Sequence, residues 1–95
     1  MNFDMLNVGN GTFVRADEVN VITRFDYVKI KKEVARLKDG DNSEKLIDAT
    51  KRKTVRSVVV LLNGTHILSM LSAETLAKRM SEFNGGYKRR GLSFQ

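Results

Sequence analysis

The sequence predicts an α+β domain, a small mixed sheet with two helices, and three observations carry that expectation. Two β-rich apolar runs flank Asn63-Gly64, the strongest short-range hairpin signal. Apolar residues recur at three and four positions at Tyr27, Ile30, Val34 and Leu37, the period of a helix with one buried face. The same period returns at Leu76, Met80 and Phe83. No Pro- or Ser-rich linker, internal repeat or low-complexity tract divides the 95 residues. The expected organisation is one domain over residues 1–86 and a loose basic tail over residues 87–95, carrying Lys88, Arg89 and Arg90.

Taken in order, Phe3 to Val8 reads as a strand, Gly9-Asn10-Gly11 as its turn, and Thr12 to Val14 as the return. Val19, Val21 and Ile22 suggest a third strand. The first helix follows, with Asp26 as its N-cap and Asp39-Gly40 as its end. Leu46 and Ile47 begin a short strand before a basic segment. The run Val58 to Leu62 is apolar without alternation, so both its faces should be covered, the second by a helix or by another subunit. A two-residue Asn63-Gly64 turn would set His66 opposite Leu61 in the return strand. Ser72 then caps a second helix through Phe83, stopped by Gly85-Gly86. All the strands are expected to share one sheet.

Composition removes several classes of chemistry. With no cysteine there is no disulfide, thiol nucleophile or thiolate metal site. A single histidine leaves a histidine-rich metal centre without ligands. No metal or cofactor is expected, no membrane partner, and no signal peptide in MNFDML. The expected location is the cytoplasm.

The charge is lopsided. Seventeen Lys+Arg against 11 Asp+Glu give +6, yet residues 1–28 hold only Arg15 and Arg24 against four acids. No acid occurs between Asp48 and Glu74, where Lys51, Arg52, Lys53 and Arg56 fall together. A basic stripe beside a neutral body attracts polyanions. Three cations in a loop can approach a duplex backbone, each contact releasing counterions. A solvated charged turn is the other reading of the same residues. Lys29, Lys32 and Arg36 share a helix face interrupted by Glu33, a solvated surface.

Nothing here reads as an enzyme. His66 has no visible partner acid or nucleophile and reads as a hydrogen-bonded packing residue. Asp48, at the end of a short strand, reads as a turn cap or ion-pair partner. Gly9-Asn10-Gly11 lacks the Lys-Ser/Thr and helix start of a phosphate loop. SAETLAKRM has the look of the first helix of a helix-turn-helix, but no recognition helix follows it.

Leu46-Ile47-Asp48-Ala49-Thr50, the basic run, the Val58–Val60 strand, His66, Ile67-Leu68-Ser69 and Glu74 to Met80 together resemble the RemA family of bacterial regulators. The stretch Asn7 to Gly11, with Ala16 beyond it, is similar too, so the resemblance spans residues 5–80. It implies a DNA-binding transcriptional regulator of the type that activates extracellular-matrix genes in biofilm formation. It further implies a LytTR-like fold assembled into a ring-shaped homo-oligomer, with double-stranded DNA wrapped on the ring. The family's basic run is a glycine, two arginines, a threonine and an arginine; Arg52, Lys53, Thr54, Val55 and Arg56 stand at those places. A further family arginine falls on Glu18, for which Arg15 is the nearby substitute, and the stretch from Gly40 to Glu44 is longer than the family's. The expected DNA-binding residues are therefore Lys51, Arg52, Lys53 and Arg56, with Arg15 as a lesser member. Two other functions fit the charge: an interaction ring docking an acidic partner, and an RNA-binding module. The second is weakened because the basic region lacks aromatic rings for stacking.

Overall fold

In the computed structural model, which describes residues 4–40 and 42–83, a hairpin comes first. Strands β1 (Met5–Gly9) and β2 (Thr12–Arg15) pair antiparallel, Met5 opposite Arg15 and Asn7 opposite Phe13. Alternation decides what the hairpin does. Leu6 and Val8 point inward and are fully buried, while Met5 and Phe13 stay exposed on the outer face.

The hairpin does not join the main sheet. β1 and β2 form their own two-stranded sheet, and β3 (Val19–Arg24), β5 (Ser57–Leu61), β6 (His66–Ser69) and β4 (Leu46–Asp48) form a four-stranded one in that order. The single sheet expected from the sequence is thus two. The reason lies in where the β1 carbonyls go: Val8 accepts from the Ser69 hydroxyl at 2.6 Å and Asn7 from the Arg79 guanidinium at 2.8 Å. Side chains, not a ladder, tie the hairpin down, and its apolar face stacks onto the core.

The main sheet has two dressed faces. Ile22, Val59, Leu61 and Ile67 share one core cluster with Leu6, Val8, and Leu76 and Met80 of helix α2 (Ala73–Ser81). Val58 and Leu68 share the other with Val34 and Ile30 of helix α1 (Val28–Asp39). Val58 and Val59, adjacent in sequence and on opposite faces, are both 0% exposed. Full burial of such a side chain is worth about 1.5–3 kcal/mol. This accounts for the run as far as Leu61, and it settles a choice left open by the sequence: the second face is covered by α1 of the same chain. Leu62, the last residue of the expected run, lies in the turn and is 59% exposed, so it is not covered.

Three local expectations shift by small amounts. The β5–β6 connection uses three residues, Leu62 to Gly64, because the Leu61 amide donates to the Thr65 carbonyl at 2.8 Å and Gly64 takes a φ of +90°. That is the three-residue hairpin with a left-handed glycine, and it sets His66 opposite Val60 rather than Leu61. Asp26 does not cap α1. It bonds Arg24 at 2.7 Å, and Tyr27 holds the cap position without a side-chain capping bond to the helix. Ser72 does cap α2, its hydroxyl accepting from the Thr75 amide at 3.1 Å, but the helix ends at Ser81, leaving Phe83 to pack on the core from beyond it. Gly85-Gly86 and the 87–95 tail lie outside the described residues.

Candidate nucleic-acid interface

The basic segment connects β4 to β5, and its first half is a tight turn. The Lys53 amide donates to the Thr50 carbonyl at 3.1 Å, and the two central residues, Lys51 and Arg52, have φ of +51° and +73°. Positive φ at both centres is the pattern of a type I′ turn, normally filled by Asn-Gly. Placing side chains there costs roughly 1–2 kcal/mol per residue, because Cβ crowds the carbonyl. The turn therefore spends stability to project two long cations.

What holds the turn is a set of polar bonds beneath it. The Asp48 carboxylate accepts from the Thr50 amide at 2.8 Å and from the Thr50 hydroxyl at 2.5 Å. Those two bonds, hydroxyl first, hold the Asp48 carboxyl below its usual 3.8; Lys38 adds a smaller pull and burial opposes. The turn-cap reading of Asp48 is thus the correct one. From the opposite side, Asn10 in the β1–β2 turn donates its amide to the Ala49 carbonyl at 2.8 Å. Ala49 and Thr50 are buried, whereas Lys51, Arg52, Lys53 and Thr54 are exposed.

Arg56 lies at the base of the same segment. Its backbone is locked, the amide donating to Ser69 at 2.9 Å and the carbonyl accepting from Phe25 at 3.2 Å, while its side chain is exposed. An open cleft of about 620 Å³ beside it is lined by Arg24, Lys31, Thr54 and Glu74 among others. Lys31, 6.0 Å above the Phe25 ring, lines the same cleft from α1, together with the acids Asp26 and Glu74. The sequence did not single out Lys31, because its neighbours follow from how α1 crosses the sheet. Asn10 was equally hidden, 39 positions from the carbonyl it holds. The Asp-Ala-Thr spacing at 48–50 was the one local signal of the turn's support.

Ion pairs hold three arginines outside the basic segment, while the described lysines and Arg79 form none. Arg15 pairs with Asp17 at 2.6 Å and with Glu18 at 4.0 Å, Arg24 with Asp26 at 2.7 Å, and Arg36 with Glu33. Lys51, Arg52, Lys53 and Arg56 belong to none of the ion pairs among the described residues. Arg15 also lies on a different element. It stands at the open end of the β1–β2 hairpin, on the order of 13 Å of strand from the turn that carries Asn10. Lys51, Arg52, Lys53 and Arg56 are exposed on one connecting segment, whereas Arg15 lies on the hairpin, engaged with carboxylates. Arg36 is likewise held by Glu33, as a solvated helix face requires.

His66 is 8% exposed, with Nδ1 2.8 Å from the Gly64 carbonyl, the bonding of a packing residue in the hairpin. Among the described residues no helix is long and apolar enough to cross a membrane.

Comparison with known proteins gives one consistent result. The family described as extracellular matrix regulatory protein A-like (RemA-like) matches residues 5–80. A protein of Fervidobacterium nodosum is 35% identical over 81 residues, covering 84% of this chain and 83% of its own. One of Thermotoga maritima is 35% identical over 81 residues, covering 84% of each chain. One of Desulfosudis oleivorans is 30% identical over 83 residues, 86% of this chain and 81% of its own. Each carries a provisional name as a regulatory protein, with no ligand stated in it.

Proposed function

The chain belongs to the RemA-like family, and from that premise we propose that it is a cytoplasmic transcriptional regulator that binds duplex DNA through phosphate contacts on a ring-shaped homo-oligomer. A LytTR-like fold and control of matrix genes in biofilm formation are parts of the same proposal. One observation carries the DNA-binding reading: Lys51 and Arg52 occupy left-handed positions without an ion-pair partner among the described residues. A merely solvated turn gains nothing from that strain. A turn that must aim cations outward does.

The phosphate surface consists of Lys51, Arg52, Lys53 and Arg56, and Lys31 flanks it. Support for assembly comes from elsewhere on the molecule. Phe13 and Met5 are exposed on the same face of the hairpin, Ile47 is exposed on β4, and β3 and β4 are both sheet edges with no further strand among the described residues. Repetition around a ring raises avidity without a strong base-reading site.

Light scattering and duplex titration at several salt concentrations test this together, on the wild type and on R52A/K53A. The wild type should be a discrete species several times 10.8 kDa. If a duplex meets three protomers with two contacts each, log K should fall with a slope near about −5 per log unit of salt, from roughly 0.9 for each of six phosphates. The double variant should keep its assembly, lose no more than about 0.5 kcal/mol of stability, and show a flatter slope on every duplex alike. An unchanged slope in the assembled variant removes the turn from the DNA surface, and a monomeric wild type removes the ring.

A further inference from the structure

The acidic residue nearest the basic turn has a part to play in binding a polyanion, and simple charge counting gives that part the wrong sign. Asp48 ends β4, paired with Leu68 of β6. Its carboxylate holds both polar groups of Thr50 that face it, the amide and the hydroxyl. The Thr50 carbonyl in turn closes the turn onto Lys53. Ala49, between them, is fixed on both sides: its amide donates to Leu68 at 3.0 Å and its carbonyl accepts from Asn10. The chain is thus anchored up to Thr50 and again at Lys53, and only the Lys51-Arg52 corner stands out, in a conformation that side chains rarely adopt.

We infer that Asp48 is a positioning residue for polyanion binding: by holding Thr50 it keeps Lys51 and Arg52 preorganised in their left-handed geometry, and this outweighs its own repulsion of phosphate. The inference rests on the DNA-binding reading above. Without the carboxylate, the Thr50–Lys53 bond and the bonds to Ala49 alone hold the corner, which is then freer to relax to ordinary negative φ, and the duplex would have to restore the order when it binds. Ordering one residue's backbone corresponds to about a tenfold change in affinity. The opposing effect is smaller. A carboxylate on the order of 10 Å from a phosphate in water weakens binding by about twofold, and less in salt. Asn10 shares the role from the far side, without any charge of its own.

The test compares D48A and D48N with the wild type in duplex titrations at three salt concentrations, alongside hydrogen exchange at the Lys53 amide. D48A adds one unit of positive charge, so charge alone predicts tighter binding. The positioning role predicts about tenfold weaker binding at every salt concentration, an unchanged salt slope because the same cations still meet phosphate, and faster exchange at Lys53. D48N, which keeps an acceptor oxygen, should stay within about threefold of the wild type. D48A binding as tightly as the wild type, or more tightly, overturns the inference. Should D48A fail to fold, T50V takes its place: the buried shape is retained, the hydroxyl is lost, and about threefold weaker binding is expected, with no loss overturning the claim. A wild type that binds no duplex overturns the DNA-binding reading instead. Exchange at Lys53 then still decides whether Asp48 orders the turn, unchanged exchange in D48A being the failure of that role.

Discussion

Two tight turns in this domain make opposite choices. Leu62 to Gly64 joins β5 to β6 with a glycine at its left-handed position, φ +90°, and Asn63 bonding the Thr65 amide at 2.9 Å. Thr50 to Lys53 follows β4 with Lys51 and Arg52 in left-handed positions where Asn-Gly would be easy. The first turn uses the residues its backbone asks for. The second uses the residues its surroundings ask for, and Asp48, Thr50 and Asn10 offset the strain by bonding the chain just before the corner. Local conflict between a residue and its conformation marks where selection has acted on something other than stability. In this chain the conflict coincides with a group of cations that no carboxylate neutralises among the described residues.

The largest expected effect comes from imposing the conflict on the relaxed turn. A Cβ at Gly64 would meet nothing within 4 Å, so G64A tests conformation alone. At φ +90° the residue lies beyond the left-handed basin open to side chains. G64A should cost about 1–2 kcal/mol, read as a lower midpoint in chemical denaturation, with duplex affinity unchanged once the protein is folded. A neutral effect on stability would mean the β5–β6 connection can adopt another turn.

The converse substitution removes the conflict from the strained turn. R52G should stabilise the fold by roughly 0.5–1 kcal/mol, relief of crowding being partly offset by the greater freedom of glycine in the unfolded chain. Duplex affinity should fall in the same protein, since one phosphate contact is lost. Stability and binding moving in opposite directions is the signature sought. If R52G is less stable than the wild type, the left-handed geometry at Arg52 carries no strain and the contrast between the two turns dissolves.

How much of this was legible in the sequence depends on the range of the interactions. The period of Ile30, Val34 and Leu37, the Asn63-Gly64 hairpin and the Ser72 cap are local signals, and each element is present with ends displaced by a few residues. The grouping of Lys51, Arg52, Lys53 and Arg56 was local too, because one segment supplies all four. The detached hairpin was not legible: it depends on Ser69 and Arg79 reaching β1 carbonyls across 61 and 72 positions. Nor was the fate of Arg15, whose nearby carboxylates Asp17 and Glu18 were in plain view but whose pairing with both of them depends on how the chain turns after β2. The register at His66 hinged on one extra residue in a turn, and no pattern in an apolar strand distinguishes the two pairings when both faces are covered.

The smallest expected effect concerns the proton rather than the side chain. Asp48 has its carboxyl held below 3.8 by the Thr50 hydroxyl and amide, so the folded state binds a proton there less readily than the unfolded chain does. Its contribution to stability is therefore complete above the unfolded value, near pH 4, and is lost as the pH falls through the lower folded value. Because Asp48 is exposed, solvent screening limits the effect to a few tenths of a kcal/mol, about 1–2 °C in Tm for a chain of this length. D48N has no carboxyl to titrate at this position. Melts of the two proteins from pH 6 to pH 3 should show a small advantage for the wild type at the upper end that shrinks toward zero at the lower end. The relaxed turn supplies the control, since Leu62, Asn63 and Gly64 carry no titratable side chain and G64A should keep a constant offset from the wild type across the same range. A gap between wild type and D48N that stays constant with pH would show that the carboxylate's charge is immaterial to the turn and that an acceptor oxygen suffices.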